Sequence, residues 1–378
     1  MPSTVHRQSI LGAARKIVVK LGTQLVTGLS PGRSGLDLRY LAQIASQIAR
    51  LREKGYELTL VSSGAIAAGC TELGLPKRPR DVAEQQAVAA VGQHHLMMYM
   101  SDAFEPHGLK VAQVLLTRSD FDDRARFLNI RNCVTHLHAL GCIPIINEND
   151  TVAVEELRFG DNDQLSALIC NALRADALVL LTVVDGLLDR SGSVIDLVED
   201  ASSVRDVLQA ARTPLGTGGM QTKVEAARLV TGAGEIAVIA NGREKDVLAR
   251  LLNHEKIGTV FAPATRGRKL DSRERWIGLT KSPAGTVTID EGAAGALETR
   301  GKSLLATGIT QITGRFERGD VLLVRGHRGQ EVARGLTNYH ADEIRLIMGK
   351  RSTQFAKILG RQSYAEVIHR DNLVLTGG

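Results

Sequence analysis

Over about the first 260 residues, short apolar runs alternate with amphipathic segments of helical period. That alternation limits the fold more than any other feature of the chain. Residues 16–21, KIVVKL, read as a buried strand, and residues 37–54 carry Leu41, Ile44, Ala45, Ile48 and Leu51 at helical spacing before stopping at Gly55. The strand YELTLV follows, then a helix near 83–104, the strand LKVAQVLL, a helix near 124–139, the strand CIPIIN and a helix over 164–173. ALVLLT, a helix over 222–232, EIAVIA, a helix near 245–253 and GTVF complete the series. Strands joined through helices run parallel, and continuous apolar strands are buried on both faces, so the expected fold class is α/β, a mostly parallel sheet sandwiched by helices.

The pattern breaks at residues 262–283, PATRGRKLDSRERWIGLTKSPA, which read as an interdomain connection. Beyond it, GTVTIDEGAAGALETRG, GDVLLVRGHRG and EVARGL give short strands with glycine turns, the marks of a second, small β-rich domain. The expected division is an N-terminal extension over 1–14, the α/β domain over 15–262, a linker over 263–283 and the β-rich domain with its tail over 284–378. The net charge of +6 suits acidic or phosphorylated ligands but is too diffuse to argue nucleic acid. Cys70, Cys133, Cys142 and Cys170 are widely spaced, which indicates neither a zinc site nor a disulfide framework but reduced, buried cysteines. No apolar run reaches the roughly 18 residues of a membrane span and no signal segment opens the chain, so a cytoplasmic location away from membranes is expected.

In an open parallel sheet, ligands bind beyond the carboxyl ends of the strands. Four junctions there carry polar residues: KLGT (20–23), SSGA (62–65), NENDTVAVEELRFGDND (147–163) and GTGGMQTK (216–223). Lys20 stands in an otherwise apolar strand, where its charge either emerges at the strand end or meets a partner. SSGA is an ordinary capped turn or a ligand contact. Glu148, Asp150, Asp161 and Asp163 either solvate a loop and cap a helix, or orient lysines, accept a substrate ammonium or hold Mg²⁺ through water. GTGGMQTK departs from the P-loop pattern but puts glycines and a lysine at a helix start, where backbone N–H groups converge on an anion. Two lysines, glycine-lined donors and no evident Ser-His or Cys-His nucleophile fit phosphoryl transfer by charge stabilisation. The ten histidines show no H-E-x-x-H spacing, which disfavours metal-dependent hydrolysis.

From about Arg15 to the end, the chain resembles the amino acid kinase family. The resemblance rests on VVKLGT, VSSGAIAAG, AVAAVGQ, LLTR, RFLN.RN, INENDTVA, GDNDQLSAL and LGTGGMQTK, and INEND followed by GDND and GTGGM.TK is similar to the branch that phosphorylates glutamate. Residues 285–367 resemble the PUA domain that closes this branch. The resemblance implies ATP-dependent phosphorylation of the γ-carboxylate of L-glutamate, the first step of proline synthesis, with ATP and Mg²⁺ as cofactors. It further implies ATP-phosphate contact by Lys20, glutamate contact by Ser63, Asp150 and Asn162, and lysine positioning by Asp163. Thr182, Val183 and the loop Thr217, Gly218, Gly219, Met220, Gln221, Thr222 and Lys223 match the nucleotide site, with Lys223 also touching the transferred phosphate. No metal ligand is implied among the side chains, Mg²⁺ being held by ATP phosphates and water. A homo-oligomer and feedback inhibition by proline are also implied.

One position departs from the family. Where it commonly has Thr-Asp, this chain has Thr182 and Val183, with the next acid at Asp185. The rival readings are a kinase for N-acetylglutamate or aspartate, and an RNA-binding protein acting through the PUA-like module. The second is weakened by a balance of 13 Lys or Arg against 10 Asp or Glu over 284–378, and by few aromatic residues there, Phe316, Tyr339, Phe355 and Tyr364.

Overall fold

The computed structural model describes residues 10–28, 35–153, 162–200, 204, 217–263, 269–361 and 364–376. They fall into two compact units divided between Lys269 and Leu270. In the first, an eight-stranded sheet has the order β3-β4-β2-β1-β5-β7-β8-β6. Its strands are β1 (Lys16–Leu21), β2 (Glu57–Val61), β3 (Val111–Leu116), β4 (Ile143–Glu148), β5 (Ala177–Thr182), β6 (Leu197–Val198), β7 (Ile236–Asn241) and β8 (Thr259–Phe261). The helices used below are α1 (Thr23–Thr27), α2 (Leu38–Glu53), α3 (Ala65–Glu72), α4 (Val82–Phe104), α5 (Arg118–Asp122), α6 (Arg124–Ala139), α7 (Asn162–Leu173), α8 (Thr217–Gly232) and α9 (Val247–Leu252).

The strands from β3 through β7 pair in parallel, as the alternation requires. The edge differs, because β8 runs antiparallel to β7 and the two-residue β6 joins parallel to β8. Only the outer side of β7 is free to accept β8, and its direction is set by the return of the chain from α9 rather than by the apolar content of GTVF.

Alternate residues of each central strand face opposite sides, so one buried strand serves two cores. Ile17, Val19 and Leu21 of β1, with Val179 and Leu181 of β5 and Val238 and Ala240 of β7, meet Leu41, Ile44 and Ile48 of α2, Leu96 and Met100 of α4 and Leu248 of α9. Each such Leu or Ile taken from water contributes about 1.5–3 kcal/mol. The other face carries Val18, Leu178, Leu180, Ala237 and Ile239, all buried, beneath α7, which packs on β1, β4 and β5, and α8, which packs on β5 and β7. Lys20 shares the parity of Val18 and therefore faces α7 and α8.

The helices α3 and α4 cross at glycines. A Cβ at Gly92 would stand 1.8 Å from the Ala65 carbonyl oxygen, and one at Gly69 would stand 2.0 Å from that of Val88. Only glycine permits this approach, which holds α4 against the segment following β2.

The second unit has a five-stranded sheet of order β10-β9-β11-β12-β13, formed by β9 (Gly285–Ile289), β10 (Ile309–Gly314), β11 (Val321–Gly326), β12 (Glu331–Leu336) and β13 (Leu373–Leu375). All its pairings are antiparallel except β9 with β11. Val287, Ile289, Leu322, Val324, Val332 and Ile344 form its own core. Phe316, Tyr339 and Phe355 belong to that core, and exposed Tyr364 lies under the Arg318 guanidinium, 4.7 Å from the ring centroid. Phe316, Tyr339 and Phe355 are spent on packing rather than displayed for base stacking. Within the stretch read as a connection, Ser272–Thr280 is helical, with Arg275 and Trp276 buried.

Among the described residues no helix is long and apolar enough to cross a membrane. All four cysteines are free thiols, but only Cys70 and Cys170 are buried. Cys133 is exposed and Cys142 half-buried, which corrects the uniform burial expected from sequence. Cys133 falls on the outward side of α6, whose inward residues are Phe127, Ile130 and Val134.

Candidate active site

The carboxyl ends of β1, β2 and β4 carry three of the polar junctions found in the sequence, and the fourth, GTGGMQTK, opens α8. Lys20 is buried at 1% exposure beside Val61 of β2 and Leu180 of β5. A bare ammonium there would be costly, and its partner is Asp163 in the first turn of α7, with Lys20 Nζ 2.7 Å from Oδ1. Lys223 of α8 approaches the other oxygen, its Nζ 3.0 Å from Oδ2. The Thr222 hydroxyl donates to the same Oδ2 at 2.8 Å, and Lys223 Nζ also donates to the Gly219 carbonyl at 3.0 Å. Burial pushes the Asp163 carboxyl up, yet the charges of Lys20 and then Lys223, with their hydrogen bonds, outweigh it and hold the group below the usual carboxylate range. Two ammonium groups around one carboxylate leave a net positive charge at the carboxyl end of β1.

That charge borders a cavity of about 310 Å³ lined by Lys20, Gly22, Thr23, Gln24, Leu25, Thr182, Val183, Val184, Gly219, Met220 and Lys223. Six residues expected at the nucleotide site thus meet in one place: Lys20, Thr182, Val183, Gly219, Met220 and Lys223. Gln221 is exposed and absent from the lining, while Thr222 serves Asp163. The backbone of Thr217 and Gly218 is helical, and their side-chain positions, like Asp161, lie outside the described residues.

The sequence places the helix start near 222, but α8 begins at Thr217, so the glycines form its first turn. A first turn leaves its N–H groups without intrahelical acceptors and carries the positive end of the helix dipole, an arrangement that favours an anion. Val183 is half-buried against the core, and Asp185 is engaged elsewhere, accepting from Asn241 Nδ2 at 2.8 Å. Arg243, a residue that sequence reasoning missed, pairs with Asp37 at 2.6 Å and donates to the Gln24 carbonyl at 3.3 Å, tying the cavity wall at α1 to the end of β7.

A second cluster adjoins the first through Asn162, the neighbour of Asp163. Its Nδ2 donates to the Ser62 carbonyl at 2.5 Å, to Ser63 Oγ at 3.0 Å and to Asn147 Oδ1 at 2.8 Å. Asn147 Oδ1 also accepts from Glu148 N at 2.9 Å, and Asn147 Nδ2 donates to Gln93 Oε1 of α4 at 2.8 Å. Gln93 Nε2 is out of solvent and has no hydrogen-bond partner among the described residues. Leaving such a donor unpaired costs about 1–3 kcal/mol. Asn147 and Gln93 were quoted in sequence motifs but given no role there. Asp150 stands half-buried in the turn after β4, three residues beyond Asn147.

Among the described residues no three His, Cys, Asp or Glu side chains gather as a metal-ligand set. Both oxygens of Asp163 are turned to lysines. Asp163 is therefore committed to the lysines rather than to a metal ion.

The profile of the amino acid kinase family matches residues 15–241, and that of the PUA domain matches residues 285–359. A glutamate 5-kinase of Citrifermentans bemidjiense is 44% identical over 376 residues, covering 98% of this chain and 100% of that protein. Those of Methylococcus capsulatus and Thermosynechococcus vestitus are 45% and 44% identical, over 97% and 96% of this chain and 98% and 100% of theirs. A solved structure of Giardia carbamate kinase superposes with a TM-score of 0.50 at 16% identity, covering 66% of this chain and 99% of that one, which supports the fold alone. With two lysines gathered on one buried carboxylate and this likeness along nearly the whole length, the chain belongs to the amino acid kinase family, in its glutamate 5-kinase branch.

Proposed function

We propose that the protein transfers the γ-phosphoryl group of Mg-ATP to the γ-carboxylate of L-glutamate, giving glutamyl 5-phosphate and ADP, the first step of proline synthesis. The observation that carries this reading is the buried Lys20–Asp163–Lys223 set at the cavity edge, one residue from the Asn162–Ser63 pair. A carboxylate is ionised and nucleophilic at neutral pH, so no general base is needed. One of its oxygens forms the new bond to phosphorus as the bond to the bridging oxygen of ADP breaks, and the electron pair leaves with ADP. Lys20, Lys223 and the first-turn N–H groups of α8 offset the charge on the phosphoryl oxygens, and Asp163 fixes the two ammonium groups that would otherwise repel. Ser63 and Asn162 hold the acceptor, and the Asp150 carboxylate receives its ammonium group. Thr182, Val183 and residues 217–223 hold the nucleotide.

The same reading extends to a cytoplasmic homo-oligomer inhibited by proline, which carries an α-carboxylate and an amine like those of glutamate. We place the boundary between the kinase domain and the PUA domain at Lys269 and Leu270, where the chain divides into two units. The test is ADP release with glutamate, N-acetylglutamate and aspartate offered in parallel. Glutamate alone should support turnover, because N-acetylglutamate lacks the cation that Asp150 receives and aspartate is one methylene shorter. Equal rates with glutamate and N-acetylglutamate overturn the assignment.

A further inference from the structure

The amide chain from Asn162 to Gln93 has fixed directions, because backbone groups anchor it. The Ser62 carbonyl can only accept, so Asn162 presents Nδ2 to it. The Glu148 N–H can only donate, so Asn147 presents Oδ1 there, and its Nδ2 is left to turn toward Gln93. Gln93 must answer with Oε1, and its NH₂ is the end left over. That group is a donor with neither solvent nor a protein partner among the described residues, at the far end of a network whose near end is Ser63 and Asn162. Gly92, the residue before Gln93, packs directly on the Ala65 carbonyl, which keeps this part of α4 beside the turn that carries Ser62 and Ser63.

From this geometry we infer that Gln93 is a substrate-binding residue whose Nε2 donates to the α-carboxylate of the acceptor amino acid. The inference rests on the proposed acceptor. The γ-carboxylate must lie toward Lys20 and Lys223, which reach the network through Asp163 and its neighbour Asn162. Gln93 stands two amides further away, where the other end of the substrate falls. An N–H donor complements a carboxylate there and not an ammonium, which Asp150 receives. Gln93 therefore makes the site selective for acceptors that carry two carboxylates.

The substitution Gln93→Glu isolates this contact. A glutamate keeps an oxygen to accept from Asn147 Nδ2 and replaces only the unpaired NH₂ by a second oxygen. It should repel the α-carboxylate of glutamate and accept from the α-amide of L-isoglutamine, which keeps the α-ammonium and γ-carboxylate. Steady-state ADP release with both acceptors gives the ratio of their kcat/KM values. In the variant the preference for glutamate should fall by about tenfold or more, or about 1.4 kcal/mol, mainly through glutamate KM, with ATP KM changed by less than about twofold. Gln93→Met, which removes the donor without adding charge, should lower the same ratio, and serves if the first variant does not fold. A ratio within about threefold of wild type in a folded variant overturns the inference, since a residue that only supports packing affects both acceptors alike. Wild-type enzyme inactive on glutamate but active on another acceptor would overturn the proposed reaction, and this contact with it.

Discussion

The replacement Asp163→Asn keeps the volume of the side chain and removes the charge between Lys20 and Lys223. At an effective dielectric constant of ~20, an ammonium about 3 Å from a carboxylate gains about 5 kcal/mol of Coulomb energy before desolvation. Both lysines stand at that range, 2.7 and 3.0 Å away, and Asp163 has no solvent exposure to compensate. Removing one partner of a buried charge set costs about 3–5 kcal/mol of stability after desolvation is counted, which urea melts at neutral pH will read directly. Catalysis should suffer as well, since losing one positioned donor to a developing charge costs on the order of a hundredfold in kcat. Lys20→Met should cost about the same and leave glutamate KM much less affected. The decisive measurement is the double variant, assayed by ADP release below the melting point of each protein. If Asp163 works by aiming Lys20, removing both costs little more than the worse single change, because an organiser without its lysine has less left to organise. Independent action instead predicts multiplied losses, on the order of 10⁴. A folded double variant showing that product would refute the organiser role.

Acid should weaken the native state partly through the same carboxyl. Its folded value lies below the unfolded value of 3.8, so its contribution is present above that value and is lost as pH falls through the lower folded one. Urea melts of wild type and Asp163→Asn should therefore differ most near neutrality and converge below about pH 4; a gap unchanged by acid would contradict this. At Val183, which lines the cavity and packs against the core, Val183→Asp should move ATP KM by less than about tenfold, or about 1.4 kcal/mol. A much larger tightening would show that the family carboxylate matters here. A chain ending at Lys269 keeps the whole α/β core and the Lys269 pairs with Asp176 and Glu235. It should fold and release ADP, and a soluble, folded truncation without activity would show that the second unit is needed for catalysis.

The strands were legible because a strand buried on both faces has to be apolar along its whole length, and KIVVKL and ALVLLT have few other uses. Lys20 was legible as the exception in such a run. The direction of β8 was hidden, since GTVF fits either pairing and the return from α9 decides. The start of α8 was hidden for another reason: glycine is a poor helix former in isolation, and here it occupies a first turn where the N–H groups have no intrahelical acceptors in any case. The roles of Gln93, Asn147 and Arg243 were hidden, because the Gln93–Asn147 contact spans 54 positions and the Arg243–Asp37 contact spans 206.

What sequence spacing does encode is the junction between the two halves of the site. Successive residues of a helix are turned by about 100° from each other, so Asn162 and Asp163, at the start of α7, face different ways. Asn162 turns to Ser62, Ser63 and Asn147, while Asp163 turns to Lys20 and Lys223. One helix start thus fixes the Asn162 cluster and the Lys20–Lys223 pair at a single peptide's distance, and in the proposed reaction that one rigid element would set the alignment on which an in-line transfer depends.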